Sequence, residues 1–280
     1  MKKNLYAKTN DKPINQAVSK ILQLIFFLAE GRSPMRLCEI AAGTGMPQAT
    51  VLRYLNSLIG EGFAFQDNLS ERYALTWKIC NIGDQVHQHL SLRTISSDIV
   101  TQLFEKLSLG ICLVIEQDME CMYLDCIYEP SEMGRSLLRI GKQTPLHAAS
   151  SGKILLTQYS EVQIDELIEK KGLCKLTENT ITDKDSLLKN LDLIRKQGYA
   201  LDDEECEPGL RCMAVPIYGY GNKIVAAISV FGSTQKLSDS DIQTILPLLK
   251  DAAVQISFRV GSDCCHDMDH IIGQNNKHED

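Results

Sequence analysis

The amino-acid sequence predicts an α+β protein with two domains of different character. In the first quarter of the chain, hydrophobic residues recur every three or four positions in three successive segments, and two short strand-like runs follow. This spacing is typical of amphipathic helices. Further along, apolar strand-like runs are interleaved with helical ones, which favours a mixed α+β domain. The 280 residues are enough for about two domains of roughly 100–200 residues each.

The first domain is predicted to span residues 14–76, after a flexible N-terminal segment at residues 1–13. Its helices end at turn-forming residues: Gly31 closes the first, and Gly60 or Gly62 closes the third. A polar turn at residues 66–71 separates the two strand-like runs, so that three helices are followed by a hairpin. The predicted elements are helices at 13–29 and 35–43, a third helix that begins at about Pro47 and ends at Gly60 or Gly62, and strands at 63–65 and 72–75.

The second domain is predicted to span residues 96–261. A helix at residues 77–95 connects the two domains, and a polar, disordered tail occupies residues 262–280. A loop is expected at 141–146. The predicted elements are helices at 99–107, 150–158, 162–169, 186–197 and 239–258 and strands at 111–116, 121–128, 199–202, 212–217 and 224–231.

Charge is distributed unevenly along the chain. The formal net charge is −7, but nine Lys or Arg against six Asp or Glu up to Thr76 give that part +3, which leaves −10 for the remainder. A mildly basic N-terminal part followed by an acidic remainder is typical of a small nucleic-acid-binding module attached to another domain.

Other compositional features exclude several classes of protein. No apolar run approaches the ~18–20 residues of a membrane span, and no hydrophobic segment follows the basic N-terminus as in a secretory signal. The ten cysteines are scattered and include no CxxC pair, which indicates reduced thiols rather than a zinc ribbon or a thioredoxin-type site. We therefore expect a cytoplasmic protein that neither enters a membrane nor carries a cofactor.

A helix-turn-helix is predicted at about residues 36–55. Ala41 is small, as needed where two helices cross closely, and Gly45 can adopt the positive φ of a tight turn. Pro47 suits the start of the next helix, where its missing N–H costs nothing. With the hairpin behind it as a wing, this arrangement predicts a winged helix-turn-helix that binds double-stranded DNA. A three-helix bundle with a hairpin but no DNA-binding role would share part of this pattern.

Polar residues on the outward face of the third helix are candidates for reading base edges in the major groove. Gln can pair with adenine and Arg with guanine, whereas Thr can contact a phosphate or a thymine methyl group. Two further arginines, one at the start of the second helix and one in the wing, are expected to contact phosphates. The predicted DNA-contacting residues are Arg36, Gln48, Thr50, Arg53, Ser57 and Arg72.

Three separated segments, at 141–156, 198–217 and 226–232, resemble the IclR family of bacterial transcription regulators when taken with the head at 16–65. The resemblance extends from Ile14 to Phe258. It implies a GAF-like effector-binding domain, a homodimer or dimer of dimers on a palindromic operator, and a small organic or aromatic acid as effector. The predicted function is thus a sequence-specific regulator, a repressor rather than an activator, with no catalytic residues.

The resemblance also implies which residues line the effector site. They are Ser150, Ser151, Gly152, Asp202, Cys212 and Ser229. The two serines fall at the start of a predicted helix, whose free N–H groups would suit a carboxylate. Some members carry a second hydroxyl two positions after Ser229, where this chain has Phe231. A ring there removes a donor and shrinks the pocket, which favours a more apolar or aromatic acid over the smallest keto acids.

Structural explanations compete with each of these roles. Ser150 and Ser151 could simply cap the helix, the acidic run that begins at Asp202 could be solvated or bonded within its loop, and Cys212 could be a core residue. His147, nearby, could bond to backbone.

Two functional alternatives remain. A metal- or redox-responsive regulator would use the tail residues Cys264, Cys265, His266 and His270. An enzyme would use Cys212 as nucleophile with His147 as base.

Overall fold

The computed structural model of the chain describes residues 15–31, 33–89, 91–129 and 143–262. The predicted flexible segment at 1–13 and the four candidate metal ligands of the tail lie outside these residues. The chain divides between residues 90 and 91 into two compact units. Within the described residues, no helix is both long and apolar enough to cross a membrane.

The N-terminal unit consists of helices and one short hairpin. Its elements are α1 (Gln16–Glu30), α2 (Leu37–Thr44), α3 (Gln48–Gly60), β1 (Ala64–Gln66), β2 (Tyr73–Leu75) and α4 (Lys78–His89). Apolar side chains from α1, α2, α3 and the hairpin form one core, which includes the fully buried Leu24, Ile40 and Leu55. Since burial of apolar area is the main favourable term in folding, this core fixes the three helices against one another.

The turn between α2 and α3 agrees with the prediction. Gly45 has φ +68°, and a Cβ built there would meet nothing within 4 Å, so the constraint is conformational rather than steric. Pro47 is the N-cap of α3, and its carbonyl accepts hydrogen bonds from the N–H groups of Thr50 and Val51. The hairpin β1–β2, here called the wing, is antiparallel with Phe65 opposite Ala74.

The C-terminal unit is a six-stranded antiparallel sheet covered by helices on both faces. Its elements are α5 (Leu92–Leu107), β3 (Gly110–Gln117), β4 (Glu120–Ile127), β5 (Gln143–Pro145), α6 (Ser150–Leu156), α7 (Glu161–Lys171), α8 (Lys184–Gln197), β6 (Ala200–Asp203), β7 (Leu210–Tyr218), the 3₁₀ turn Tyr220–Asn222, β8 (Ile224–Ser233) and α9 (Asp239–Arg259). The strand order is β5-β4-β3-β8-β7-β6.

Each face of this sheet has its own core. Helices α5 and α9 pack on one face, with Ile111, Met213 and Ile228 among the buried strand residues. Helix α6, with α7 and α8 beside it, covers the other face. Together with the N-terminal unit, this arrangement confirms the predicted α+β class and is consistent with a GAF-like domain.

Two predicted segments are different in the structure. The single connecting helix predicted at 77–95 is two helices, because Ser91 has extended backbone (φ −83°, ψ 153°) and its hydroxyl accepts a hydrogen bond from the N–H of Thr94. Serine at such a position caps a new helix rather than continuing the old one. The loop predicted at 141–146 contains strand β5, which pairs with β4 at Cys121 and Thr144.

Candidate functional site

Helix α3 has one buried side and one exposed side. Val51, Tyr54, Leu55 and Leu58 are buried, whereas the predicted base-reading residues Gln48, Arg53 and Ser57 are exposed, and Thr50 is half-buried. Because the buried residues recur every three or four positions, the predicted residues fall away from the core. The sequence therefore identified the accessible side of α3 correctly.

Local contacts hold two of these side chains. The guanidinium carbon of Arg53 lies 5.3 Å from the centroid of the Tyr54 ring, a cation–π distance. The Ser57 hydroxyl donates a hydrogen bond to the carbonyl of Arg53 at 3.1 Å. The Arg53 guanidinium is therefore supported partly by an aromatic ring, and the exposed Ser57 hydroxyl is held by the backbone.

The two arginines predicted to contact phosphates have different surroundings. Arg36 is exposed at the start of α2, where its backbone N–H donates to the Glu39 carboxylate at 2.7 Å. Arg72 is half-buried: its guanidinium donates to the carbonyl of Pro34 at 3.0 Å and lies 3.7 Å from Glu39. Arg72 thus ties the wing to the segment before α2, so a phosphate contact would have to use its remaining N–H groups.

In the C-terminal unit, the short helix α6 begins inside the apolar core. Ser150 and Ser151 are in its first turn and are 2% and 3% exposed. The N-cap is Ala149, without a side-chain capping bond, so neither serine has the capping role considered above. A Cβ on Gly152 would lie 2.2 Å from the Leu146 carbonyl oxygen, which shows that only glycine permits this close approach of backbones.

The predicted strand residues lie on the face of the sheet that α6 covers. Asp202 pairs with Cys212, which pairs with Phe231, which pairs with Gly110. Residues directly opposite each other on antiparallel strands share a face. A second row on the same face, two residues along each strand, contains Ser229 between Ala214 and Cys112. We call the surface formed by Asp202, Cys212, Phe231, Ser229 and Cys112 the α6 face.

Phe231 fills one end of the α6 face. A Cβ built on Gly110 would lie 2.1 Å from Cζ of Phe231, so the ring lies directly over this glycine. The Phe231 and Tyr128 ring centroids are 6.3 Å apart with planes tilted by 56°, a common geometry for aromatic pairs. This end of the face is therefore aromatic and closed, and Gly110 is the residue that makes room for the ring.

Asp202 is buried and engaged at its end of the same row. Its Oδ1 accepts hydrogen bonds from the N–H groups of Glu205 (2.8 Å) and Cys206 (3.2 Å). Burial, followed by the neighbouring Glu205 carboxylate, raises the pKa of Asp202 to about 7. Burial and the Asp202 carboxylate also raise the pKa of the Cys212 thiol, which stays neutral and can act as a weak hydrogen-bond donor or acceptor.

The buried ion pair between Lys153 and Glu205 was missed in the sequence. Lys153 on α6 is fully buried and its Nζ bonds to the Glu205 carboxylate. The Glu205 carbonyl in turn accepts from the Thr180 hydroxyl at 2.6 Å. A lysine inside the otherwise apolar run of α6 was the available signal, because a buried charge requires a partner.

His147 bonds to backbone, as its structural explanation predicts. The side chain is buried and its Nε2 is 3.0 Å from the Cys174 carbonyl oxygen. Burial lowers the pKa of His147, which keeps the ring neutral. His147 therefore anchors the segment around Cys174 through this hydrogen bond.

Taken together, these features define a class of protein: a winged helix-turn-helix unit joined to a separate sensor-type α+β domain. Two family models match the chain. The IclR helix-turn-helix domain matches residues 17–68, and the bacterial transcriptional regulator IclR C-terminal domain matches residues 84–258. The chain belongs to the IclR family of transcription regulators.

Known relatives support this assignment along most of the chain. The transcriptional repressor IclR of Escherichia coli is 29% identical, with 88% of this chain and 90% of that protein covered. The crystal structure of Thermotoga maritima IclR matches with a TM-score of 0.58 at 27% identity, over 87% of this chain and 98% of that one. The protein is accordingly a DNA-binding transcription regulator and not an enzyme.

A third relative covers the C-terminal part alone. It is a double mutant of the inducer-binding domain of the transcription factor PobR from Acinetobacter, in complex with 3-hydroxybenzoic acid. It has 30% identity and a TM-score of 0.55, over 60% of this chain and 98% of that chain.

Proposed function

We propose that the C-terminal domain binds a small carboxylic acid and that this binding modulates operator affinity. The observation that carries the proposal is the set of polar side chains buried beneath and within α6. Ser150, Ser151, Asp202, Cys212 and Ser229 are each less than a tenth exposed, yet they adjoin an apolar core. Buried polar groups are costly without partners, and ligand sites are apolar cavities with a few placed polar groups.

Asp202 supports an acid as the ligand. With its pKa raised to about 7, this carboxyl group can be protonated near neutral pH and can then donate a hydrogen bond to a second carboxylate. Helix α6 has only seven residues, so the hydroxyl groups and Asp202, rather than the helix dipole, are the proposed anchors.

The aromatic end of the α6 face favours a larger, apolar acid. Phe231 over Gly110, with Tyr128 beside it, offers a ring surface instead of a hydroxyl group. The related PobR domain in complex with 3-hydroxybenzoic acid supports the same class of ligand. We expect benzoate-type acids to raise the unfolding temperature of the chain, and glyoxylate and pyruvate to have less effect. Stabilisation by glyoxylate or pyruvate alone would contradict the proposal.

A matched variant makes this experiment sharper. Phe231→Ser restores a hydroxyl group and opens space above Gly110, so it should shift the preference towards the smaller acids. Leu176→Ser is a suitable control, because Leu176 is 41% exposed and does not belong to the α6 face. If both variants keep the ligand preference of the original chain, Phe231 does not determine specificity.

For DNA recognition, we propose that Gln48, Thr50, Arg53 and Ser57 read bases, and that Arg36 and Arg72 position the phosphates. The exposure of the outward side of α3 supports this assignment. Arg53→Ala should weaken binding to the specific operator by about 1–3 kcal/mol and relax the preference at one base pair. Lys196→Ala, which removes an exposed charge from the other unit, should leave operator binding unchanged. A gel shift on the upstream region of its own gene, at several salt concentrations, measures both variants.

Helix α1 supports self-association. Val18, Leu22 and Phe26 are 52%, 50% and 55% exposed and recur every four residues, which forms one apolar stripe. We propose that a second copy of the chain covers this stripe, as a homodimer or dimer of dimers on a palindromic operator. Leu22→Glu should shift the sedimentation coefficient towards the monomer, whereas Leu69→Glu in the wing should not.

We further propose repression rather than activation, since the E. coli relative is named a transcriptional repressor. Deleting the gene should raise expression from a reporter that carries the operator. A fall in reporter expression would indicate an activator.

A further inference from the structure

Cys112 on β3 and Cys126 on β4 stand directly opposite each other in the antiparallel pair. Their Sγ atoms are 2.7 Å apart. We propose that this cysteine pair is an oxidative modification site, where a peroxide converts the two thiols into an intrachain disulfide that joins Cys112 of the α6 face to Cys126 on the neighbouring strand. The site differs from the Cys/His-rich tail considered above, because both residues belong to the central sheet.

The backbone geometry fits a disulfide without rearrangement. Residues opposite each other on antiparallel strands have Cα atoms about 4.5 or 5.5 Å apart, according to the type of pair. Both distances fall in the ~4.4–6.8 Å range of disulfides, whose S–S bond is ~2.05 Å long. The two sulfur atoms therefore need only a small side-chain rotation to reach bonding distance.

The exposures of the two cysteines suggest an order for the reaction. Cys126 is half-buried, whereas Cys112 is fully buried. Burial, and then the adjacent Cys126, raise the pKa of Cys112 well above its ordinary value, so Cys112 is a poor first nucleophile. Cys126, which is the more accessible of the two, meets the oxidant first.

The chemistry balances with peroxide as the oxidant. The Cys126 sulfur attacks one peroxide oxygen, so that an S–O bond forms, the O–O bond breaks and water leaves. The resulting sulfenic acid condenses with the Cys112 thiol: the S–S bond forms, and the Cys112 proton departs with the hydroxyl group as a second water. Overall, the two sulfur atoms lose two electrons and the peroxide accepts them.

The position of the pair connects oxidation to the proposed ligand. Cys112 pairs with Ser229 on its other side, and Tyr128, two residues after Cys126, contacts the Phe231 ring. A disulfide here removes two S–H donors and fixes β4 to β3 beside the aromatic end of the α6 face. We therefore expect the oxidised chain to bind carboxylic acids more weakly, a consequence that rests on the proposed function.

Peptide mapping of the full chain tests the site itself. A protease that cleaves before aspartate separates Cys112, Cys121 and Cys126 into three peptides, because Asp118 and Asp125 stand between them. After peroxide treatment, non-reducing mass spectrometry should find the Cys112 and Cys126 peptides linked, with two thiols lost. Cys126→Ser should abolish this species, whereas Cys80→Ser, at an exposed position of α4, should retain it.

Two results would overturn the site. One is that Cys112 and Cys126 stay reduced while the exposed Cys38, Cys80 and Cys174 react; the other is a link from Cys112 to Cys121 instead. Circular dichroism of reduced Cys126→Ser and Cys126→Ala checks that each variant folds. Loss of the link can then be attributed to the missing thiol and not to misfolding.

A thermal-shift experiment with benzoate separates the disulfide from the proposed function. If the link forms and oxidation reduces the shift that benzoate produces, in the original chain but not in Cys126→Ser, the full proposal is supported. If the link forms and that shift is unchanged, regulation through this pair is contradicted. If no carboxylic acid shifts even the reduced chain, the proposed effector function fails, and the peptide map still decides whether the disulfide exists.

Discussion

The two units hold their candidate functional residues in opposite ways. On α3, Gln48, Arg53 and Ser57 are exposed and supported only by local contacts. On the α6 face, Asp202 and Cys212 are buried and paired across strands. A surface that meets DNA can be altered without loss of the fold, whereas the ligand site is part of the core. Changes in the C-terminal unit should therefore affect stability, and changes on α3 should affect binding alone.

The buried ion pair should produce the largest effect. Glu205→Gln removes the direct ion-pair partner of the buried Lys153 ammonium, and removal of one member of such a pair typically costs about 3–5 kcal/mol. Glu166→Gln breaks the exposed Glu166–Lys170 pair on α7 and should change stability by no more than about 0.5 kcal/mol. Denaturant unfolding compares the two; equal losses would show that burial of Lys153 does not matter.

The second-largest loss of stability is expected from Gly152→Ala. Its Cβ would meet the Leu146 backbone at 2.2 Å, and overpacking of this kind costs about 1–3 kcal/mol. Gly83→Ala in α4 meets nothing within 4 Å and should be neutral or stabilising by up to about 1 kcal/mol. Thermal unfolding distinguishes them, and a Gly152→Ala chain as stable as the original would contradict the close approach of α6.

The pH dependence of stability tests Asp202. Its folded pKa of about 7 is above the ordinary value of 3.8, so the folded chain holds a proton that the unfolded chain releases. Stability should therefore fall as pH rises from about 4 to about 7 and change no further above that range. Asp202→Asn keeps an acceptor for the loop N–H groups but should lose the part of this dependence that Asp202 contributes, leaving the part from Glu205, whose pKa burial also raises. Parallel curves of unfolding free energy against pH for the two chains would show that Asp202 is ionised throughout this range.

The smallest effect is expected from a phosphate contact. Arg36→Ala should weaken binding to specific and unrelated DNA alike. It should also reduce the slope of the logarithm of the binding constant against the logarithm of the salt concentration by about one. Its unfolding free energy should change by less than about 0.5 kcal/mol, as for most exposed positions. Fluorescence anisotropy at several salt concentrations gives the slope. A loss restricted to the operator would instead assign Arg36 to base reading.

Sequence reasoning succeeded where function depends on local spacing. The turn at Gly45, the start of α3 after Pro47 and the exposed side of α3 all follow from residues a few positions apart. It was less complete where distant residues meet. The Lys153–Glu205 pair spans 52 positions and the Gly110–Phe231 contact spans strands far apart in sequence. No local pattern connects such residues, and Ser91 breaks the connecting helix through a capping bond that periodicity does not reveal.

The coupling between the two units can be measured in a single titration. The full chain is bound to its upstream DNA and benzoate-type acids, glyoxylate and pyruvate are added in turn, in parallel for the original chain and Phe231→Ser. We expect benzoate-type acids to change operator affinity for the original chain, and the smaller acids to gain effect in the variant. If no acid changes the operator affinity of either chain, the α6 face is not the effector site.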